Sequence, residues 1–296
     1  PAVETDPAAE EMLKLRQEAE ERTFKQVKGE VKAGFDDSLV DLAELYYQGV
    51  GTKQNYKKAY KYYQKAAQKT GSEYAAYSQA FMLMYGQGVK KAPLQAFDML
   101  LQLAQDGYPP AALEIYRAYK KGSGCQQDDA LARQWLEKAA NYRLPSALLY
   151  LGIEKGEEDP QESFSLLKQA ADLESERAQY LTALGYQTGT GTEPNARRAF
   201  DYMLRAAKQR YAPAQWQTAQ WYEQGYGTQA DLYQAFRWTR LAAQQGVAAA
   251  QERLADMYER GQGIPANAKL ARKWQKEAQK TKKQDAKKAQ EKESAR

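Results

Sequence analysis

Five close copies of one heptapeptide hold the residues best suited to chemistry: YYQGVGT from Tyr46, YKKGSGC from Tyr119, YQTGTGT from Tyr186, YEQGYGT from Tyr222 and YERGQGI from Tyr258. Two glycines one residue apart ahead of a helix can turn backbone amides toward a phosphate. A dinucleotide loop, however, follows a strand and reads G-x-G-x-x-G, and a Walker loop needs G-K-[ST]. In this chain the loop follows a helical pattern and no Lys-Ser/Thr pair comes after it. The glycine pair also occurs six times, at Gly49 and Gly51, Gly86 and Gly88, Gly122 and Gly124, Gly189 and Gly191, Gly225 and Gly227, and Gly261 and Gly263. That recurrence is the mark of a structural turn.

Other routes to catalysis are thin. The chain has no histidine, which removes Ser-His-Asp and Cys-His catalysis and histidine-held zinc. Cys125 stands alone, so it forms no internal disulfide and no metal site by itself; its repeat position holds Val89 and Ile264 elsewhere, which points to a small buried hydrophobe. The carboxylate groups Asp128-Asp129 and Glu157-Glu158-Asp159 sit where helices restart, and read as caps and solvated turns. No cofactor is expected, and no enzyme.

The elements that position these residues come from a repeat. A small residue recurs at Ser38, Ala75, Ala111, Ala147, Ala178, Ala214 and Ala250, with spacings of 37, 36, 36, 31, 36 and 36. A second series at Ala67, Ala104, Ala140, Ala171, Ala207 and Ala243 keeps the same rhythm, including the short interval. Each unit reads as two helices joined at the glycine pair, where left-handed backbone ends the first helix. A cap opens the second: Asn55, Asp128, Asn195, Asp231 or Asn267, with Ala92 before Pro93 as the exception. Tyr46, Tyr119, Tyr186, Tyr222 and Tyr258 then form a core stripe. The fourth unit, 147–171, lacks the glycine pair and is five residues short, which predicts a tightened connection.

Composition agrees with an all-helical chain of 296 residues, with 43% hydrophobic and 27% charged residues and no run long enough to span a bilayer. The net charge of +5 is uneven: residues 1–30 carry −3, residues 269–296 carry +7, and the body about +1, too balanced for a nucleic-acid groove. Asp6-Pro7 predicts the start of a charged capping helix running to about Lys32. The domain reading is a cap over 1–34, repeats over 35–280, and a basic tail over 281–296 that is solvated, frayed or disordered.

The landmarks resemble the Sel-one-like repeats, a subfamily of the tetratricopeptide-type helical repeats. The seventh unit shows the pattern as Ala250, Leu254, Ala255, Tyr258, Gly261, Gly263, Ile264, Ala271 and Trp274. The first shows it as Leu42, Ala43, Tyr46, Gly49, Gly51, Lys58-Ala59, Tyr62 and Lys65-Ala66-Ala67. The resemblance implies an all-α, right-handed superhelical solenoid of about seven helix-turn-helix repeats, with the first helices lining a concave face. It implies an adaptor for protein or peptide partners, in bacteria often in envelope assemblies, and no catalysis.

A binding surface is sought on the first helices, two residues after each small residue: Val40, Tyr77, Leu113, Leu149, Tyr180 and Trp216, with Glu252 in the seventh unit. Tyr47, Phe81 and Met84 join them in the early units, and Arg117, Leu184 and Gln220 in the later ones. These residues either line the groove or pack against the next unit. The alternatives to an adaptor are a polyanion- or membrane-surface organiser using the basic tail, and a regulatory subunit of an enzyme. The chain begins at Pro1 without methionine, which a removed secretory signal or an upstream lipid anchor would fit. On that reading the chain is periplasmic or secreted, with cytoplasmic as the alternative.

Overall fold

The structure, a computed structural model, describes residues 7–294, and among these every regular element is a helix. Helix α1 (Pro7–Lys32) and a short 3-10 turn (Asp36–Ser38) precede seven helical hairpins. The first three are α2 (Leu39–Gln48) with α3 (Tyr56–Thr70), α4 (Glu73–Tyr85) with α5 (Pro93–Gln105), and α6 (Pro109–Lys121) with α7 (Asp129–Asn141). Next come α8 (Pro145–Glu154) with α9 (Pro160–Asp172), and α10 (Glu176–Thr188) with α11 (Ala196–Lys208). The last two are α12 (Ala212–Gln224) with α13 (Leu232–Gln244), and α14 (Ala248–Arg260) with α15 (Ala268–Ser294). The chain forms two compact units that divide between Tyr142 and Arg143. Within each unit, every helix packs on the next one in sequence.

The hairpin corner is built as the residue types dictate. In the sixth hairpin Gly225 adopts φ 70° and its amide returns to Trp221 O, closing α12. The side chain of Asp231 then accepts from the amide of Gln234 at 2.9 Å, opening α13, while its own amide donates to Tyr222 O at 2.9 Å. One residue thus ties the new helix to the end of the old one. Asn55, Asp128, Asn195 and Asn267 cap in the same way at 2.9–3.0 Å. Ala92 provides no side-chain cap, and Pro93 fills the first turn in its place.

The second glycine does something the sequence reading did not separate from the first. A Cβ on Gly227 would lie 2.1 Å from Ala196 O and 2.8 Å from Phe200 Cβ, both in the preceding hairpin. Gly191 stands likewise 1.9 Å from Pro160 O, and Gly124 2.1 Å from Pro93 O. The first glycine of each pair therefore ends a helix, and the second lets one hairpin touch the start of the previous hairpin's second helix.

An aromatic contact runs beside this approach. Tyr119, Tyr186, Tyr222 and Tyr258 meet Phe97, Phe164, Phe200 and Phe236 of the preceding hairpin edge to face, with centroids 5.4, 5.0, 5.1 and 5.5 Å apart. Helix α1 offers Phe24 to Tyr46 in the same geometry, 5.3 Å and 84°, so it packs on the first hairpin as a second helix packs on each hairpin that follows it. In the second unit, buried Gln179, Gln215 and Gln251 each donate to a carbonyl closing the previous second helix, Ala171, Ala207 and Ala243, all at 3.1 Å.

The fourth hairpin takes up its deletion differently from the expected loop shortening. Helix α8 has 10 residues where α12 has 13, so most of the loss falls in the helix. Ser163 Oγ donates to Gly152 O at 2.6 Å across the shortened corner.

Between hairpins the chain needs one left-handed residue. Gly71, Gly107 and Gly246 meet this need freely, but Arg143, Glu174 and Arg210 adopt φ 57°, 63° and 67°. For a non-glycine residue that conformation costs roughly 1–2 kcal/mol, part of which glycine returns as unfolded-state entropy. Arg210→Gly is therefore expected to raise stability by about 0.5–1 kcal/mol, read as an increased urea midpoint with unchanged slope.

At the carboxyl end, where a solvated, frayed or disordered tail was expected over 281–296, the chain is helix through Ser294. Alanine, lysine, glutamine and glutamate are strong helix formers, and Lys287 pairs with Glu291 one turn on at 3.8 Å. Beyond Ala278 no described side chain is buried. The expected Asp6 cap and residues 295–296 lie outside the described residues.

Candidate functional site

The glycine loops hold no phosphate cradle, because Gly227 and its equivalents are pressed against backbone of the preceding hairpin. The acidic groups resolve as caps: Asp128 accepts from Leu131 N and Asp159 from Glu162 N, each at 2.9 Å. Among the described residues no cluster of His, Cys, Asp and Glu is arranged to hold a metal. Cys125 is half-buried, not fully buried as expected, and burial raises its thiol pKa, which disfavours the nucleophilic thiolate.

The twelve candidate surface residues separate by burial. Met84, Leu113 and Leu149, expected in the groove, are buried at 5, 8 and 7% exposure, so these apolar side chains belong to the packing. Trp216 is half-buried against a cluster formed by Phe236, Ala250, Leu254 and their neighbours. Tyr180 and Leu184 pack on the cluster around Phe164, Met203 and Trp221; Gln220 is half-buried nearby in sequence. In the first unit Val40 and Tyr47 border the cluster around Leu42 and Tyr46, and Tyr77, Phe81 and Arg117 are half-buried.

Tyr47, Tyr77 and Phe81 come together with residues the sequence reading missed. They line a groove of about 210 Å³ between α2 and α4, shared with Glu44, Gln48, Tyr63, Tyr74, Ser78 and Met82. Tyr77 lies 6.2 Å from Phe81 and 5.5 Å from Tyr108, and Phe81 lies 4.6 Å from Tyr85, so rings run continuously along α4. Tyr63 and Tyr74 both donate to Glu44 Oε1, and Gln48 donates to Oε2 at 2.9 Å. Further along, Tyr85 donates to Glu114 at 2.9 Å, and Glu114 is also paired with Arg117. The helical spacing of Tyr74, Tyr77, Phe81 and Tyr85 was a sequence signal for this face; the position of Glu44 opposite them was not.

The phenols of this face resist ionisation. Burial, reinforced by the hydrogen bond to Glu44, pushes Tyr74 up to about 12; burial and the charge of Glu114 do the same for Tyr85. Burial also raises Tyr63 and Tyr77. An unfolded tyrosine ionises near about 10. Folding therefore holds these protons between about 10 and 12, so their stability contribution is intact below pH 10 and lost as pH rises toward 12. Urea midpoints are expected to fall from about pH 10 upward, and a Tyr74→Phe, Tyr85→Phe variant should show a shallower fall.

Comparison with known proteins bears on the repeat. The model of the Sel1 repeat matches residues 36–70, 74–108, 114–141, 145–175, 177–211, 212–247 and 248–278. Two solved structures are similar in fold. One is a Sel1 repeat protein from Oxalobacter formigenes, at 26% identity and a TM-score of 0.70 over 81% of this chain and 99% of that one. The other is c5321, a protective antigen of uropathogenic Escherichia coli with an SLR fold, at 24% identity and a TM-score of 0.72. The match to c5321 covers 87% of this chain but 56% of that one. No curated protein matches the chain. With seven matched repeats spanning most of its length, corners capped as the residue pattern requires, and each hairpin of a unit seated on the one before, the chain belongs to the Sel1 repeat family.

Proposed function

We propose that this chain is a non-catalytic scaffold that captures a protein or peptide partner on the first-helix face of its first unit, along α2, α4 and α6. Repeats of this family generally mediate protein–protein interaction. The observation that carries the reading is the run of half-exposed rings from Tyr47 through Tyr77 and Phe81 to Tyr85, beside a groove that the described residues leave open. Tyrosine-rich, partly desolvated surfaces are where binding energy concentrates in protein interfaces. The reading extends to a periplasmic or secreted setting in a bacterial envelope, where it would help assemble or regulate a complex; the repeat protein of Oxalobacter formigenes supports the bacterial part.

Selection of a displayed peptide library on the purified chain tests the groove. The selected peptides are expected to bind Tyr77→Ala at least about tenfold more weakly, the usual scale for an interface anchor, while its melting transition stays cooperative. Equal binding to that variant contradicts the reading.

A further inference from the structure

We infer that the groove between α2 and α4 is a receptor for one cationic side chain, arginine in preference to lysine, presented by the partner. The inference rests on the reading of this groove as a partner site and specifies its chemistry.

The argument begins with Glu44. Its carboxylate sits among Tyr47, Tyr63, Tyr74 and Tyr77, where water is partly excluded and a negative charge needs compensation. It receives three hydrogen bonds, from Tyr63, Tyr74 and Gln48, all neutral donors. Among the described residues no lysine or arginine lies within ion-pair distance of it. Two other first-helix carboxylates that are shielded from water are paired with a cation: Glu114 has Arg117, and Glu223 has Arg253 at 2.9 Å. Glu44 is thus a carboxylate in an aromatic recess with no cation paired to it among the described residues.

The remaining geometry suits a cation. A carboxylate accepts about four hydrogen bonds, and with two at Oε1 and one at Oε2 a single acceptor direction remains. Tyrosine faces attract cations that approach within about 6 Å. Arginine combines a planar group that stacks on rings with donors for the carboxylate, and it sheds water more readily than an ammonium. At 210 Å³ the groove is smaller than the ~300 Å³ where sites for drug-sized ligands begin, and matches a single side chain.

The test uses Nα-acetyl-arginine amide and its neutral isostere Nα-acetyl-citrulline amide as probes, followed by ¹⁹F resonances of fluorotyrosine-labelled protein. The arginine compound is expected to shift the groove resonances and to bind at least tenfold more tightly than the citrulline compound. Glu44→Gln should remove that difference. Gln48→Arg, on the exposed side of α2 one turn from Glu44, supplies the cation in cis; it should block the arginine compound and raise the melting temperature. Equal binding of the two compounds overturns the cation inference while the groove reading stands. Shifts with neither compound, up to the limit of solubility, overturn the inference as well, and the peptide selection then decides the groove reading separately. Unchanged arginine binding in both variants also overturns it.

Discussion

Gly227→Ala is expected to destabilise the second unit by about 3 kcal/mol, whereas Gly225→Ala, two residues away in the same corner, should cost about 1–2 kcal/mol. Both glycines are left-handed, at φ 67° and 70°, so alanine at either meets the same backbone penalty of roughly 1–2 kcal/mol. They differ in what a methyl group would meet. At Gly225 the nearest atoms are Ala230 N at 3.3 Å and Ala230 Cβ at 3.5 Å, neighbours in a loop that can give slightly. At Gly227 the methyl would overlap Ala196 O at 2.1 Å, at the start of α11, and must push two hairpins apart. Overpacking of that kind adds typically 1–3 kcal/mol. Urea unfolding of the two variants side by side reads the difference. Equal destabilisation would show that the second glycine serves only the turn.

Trp221→Ala is expected to cost about 3–5 kcal/mol, the usual range for deleting a buried tryptophan. Trp221 is 1% exposed and shares a cluster with Phe200, Met203, Ala207 and Ala214. Its ring lies 4.8 Å from that of Tyr226. Alanine would leave a cavity within this cluster, whose walls relax only in part. The loss should appear first as faster hydrogen exchange in α11 and α12. A cost below about 1 kcal/mol would mean that the cluster collapses readily around the gap.

These two sites also show what could be read from residues alone. The repeat was legible because the same small residues, glycines and caps return at a fixed interval, and each acts within its own hairpin. Asn55 and Asp231 were assigned correctly for that reason: a cap needs only the next three residues. Tyr222 was chosen as the core aromatic of its helix, yet Trp221 beside it is the more deeply buried. Which of two adjacent aromatics faces inward depends on how the neighbouring hairpin crosses, and no local pattern encodes that. Gly227 was read as half of a turn because its contact, Ala196, lies far back in the chain.

The candidate site was legible in part. Tyr77 and Phe81 were singled out from their place on the first helix, and both line the recess between α2 and α4. Leu113 and Leu149 occupy the repeat position of Tyr77, but both are buried in the packing. Glu44 was passed over because a glutamate on an amphipathic helix ordinarily faces water. Its setting becomes visible only when Tyr63 and Tyr74, from two other helices, close over it. The tail, a segment without an apolar stripe, was read as solvated, frayed or disordered; its residues favour helix individually, and they continue a packed helix with no buried side chain beyond Ala278.

The central claim is that the first-helix face of the first unit meets the partner. Site-specific photocrosslinking in the native cell tests it most directly, with benzoylphenylalanine placed at Tyr85 on α4 or at Leu94 on α5. Both side chains are exposed, at 45% and 68%; the substitution at position 85 gives up the hydrogen bond to Glu114, which Arg117 still pairs. The account predicts a discrete adduct from position 85, lost when Tyr77→Ala is added, and none from position 94. An adduct from position 94 with none from position 85 would contradict it.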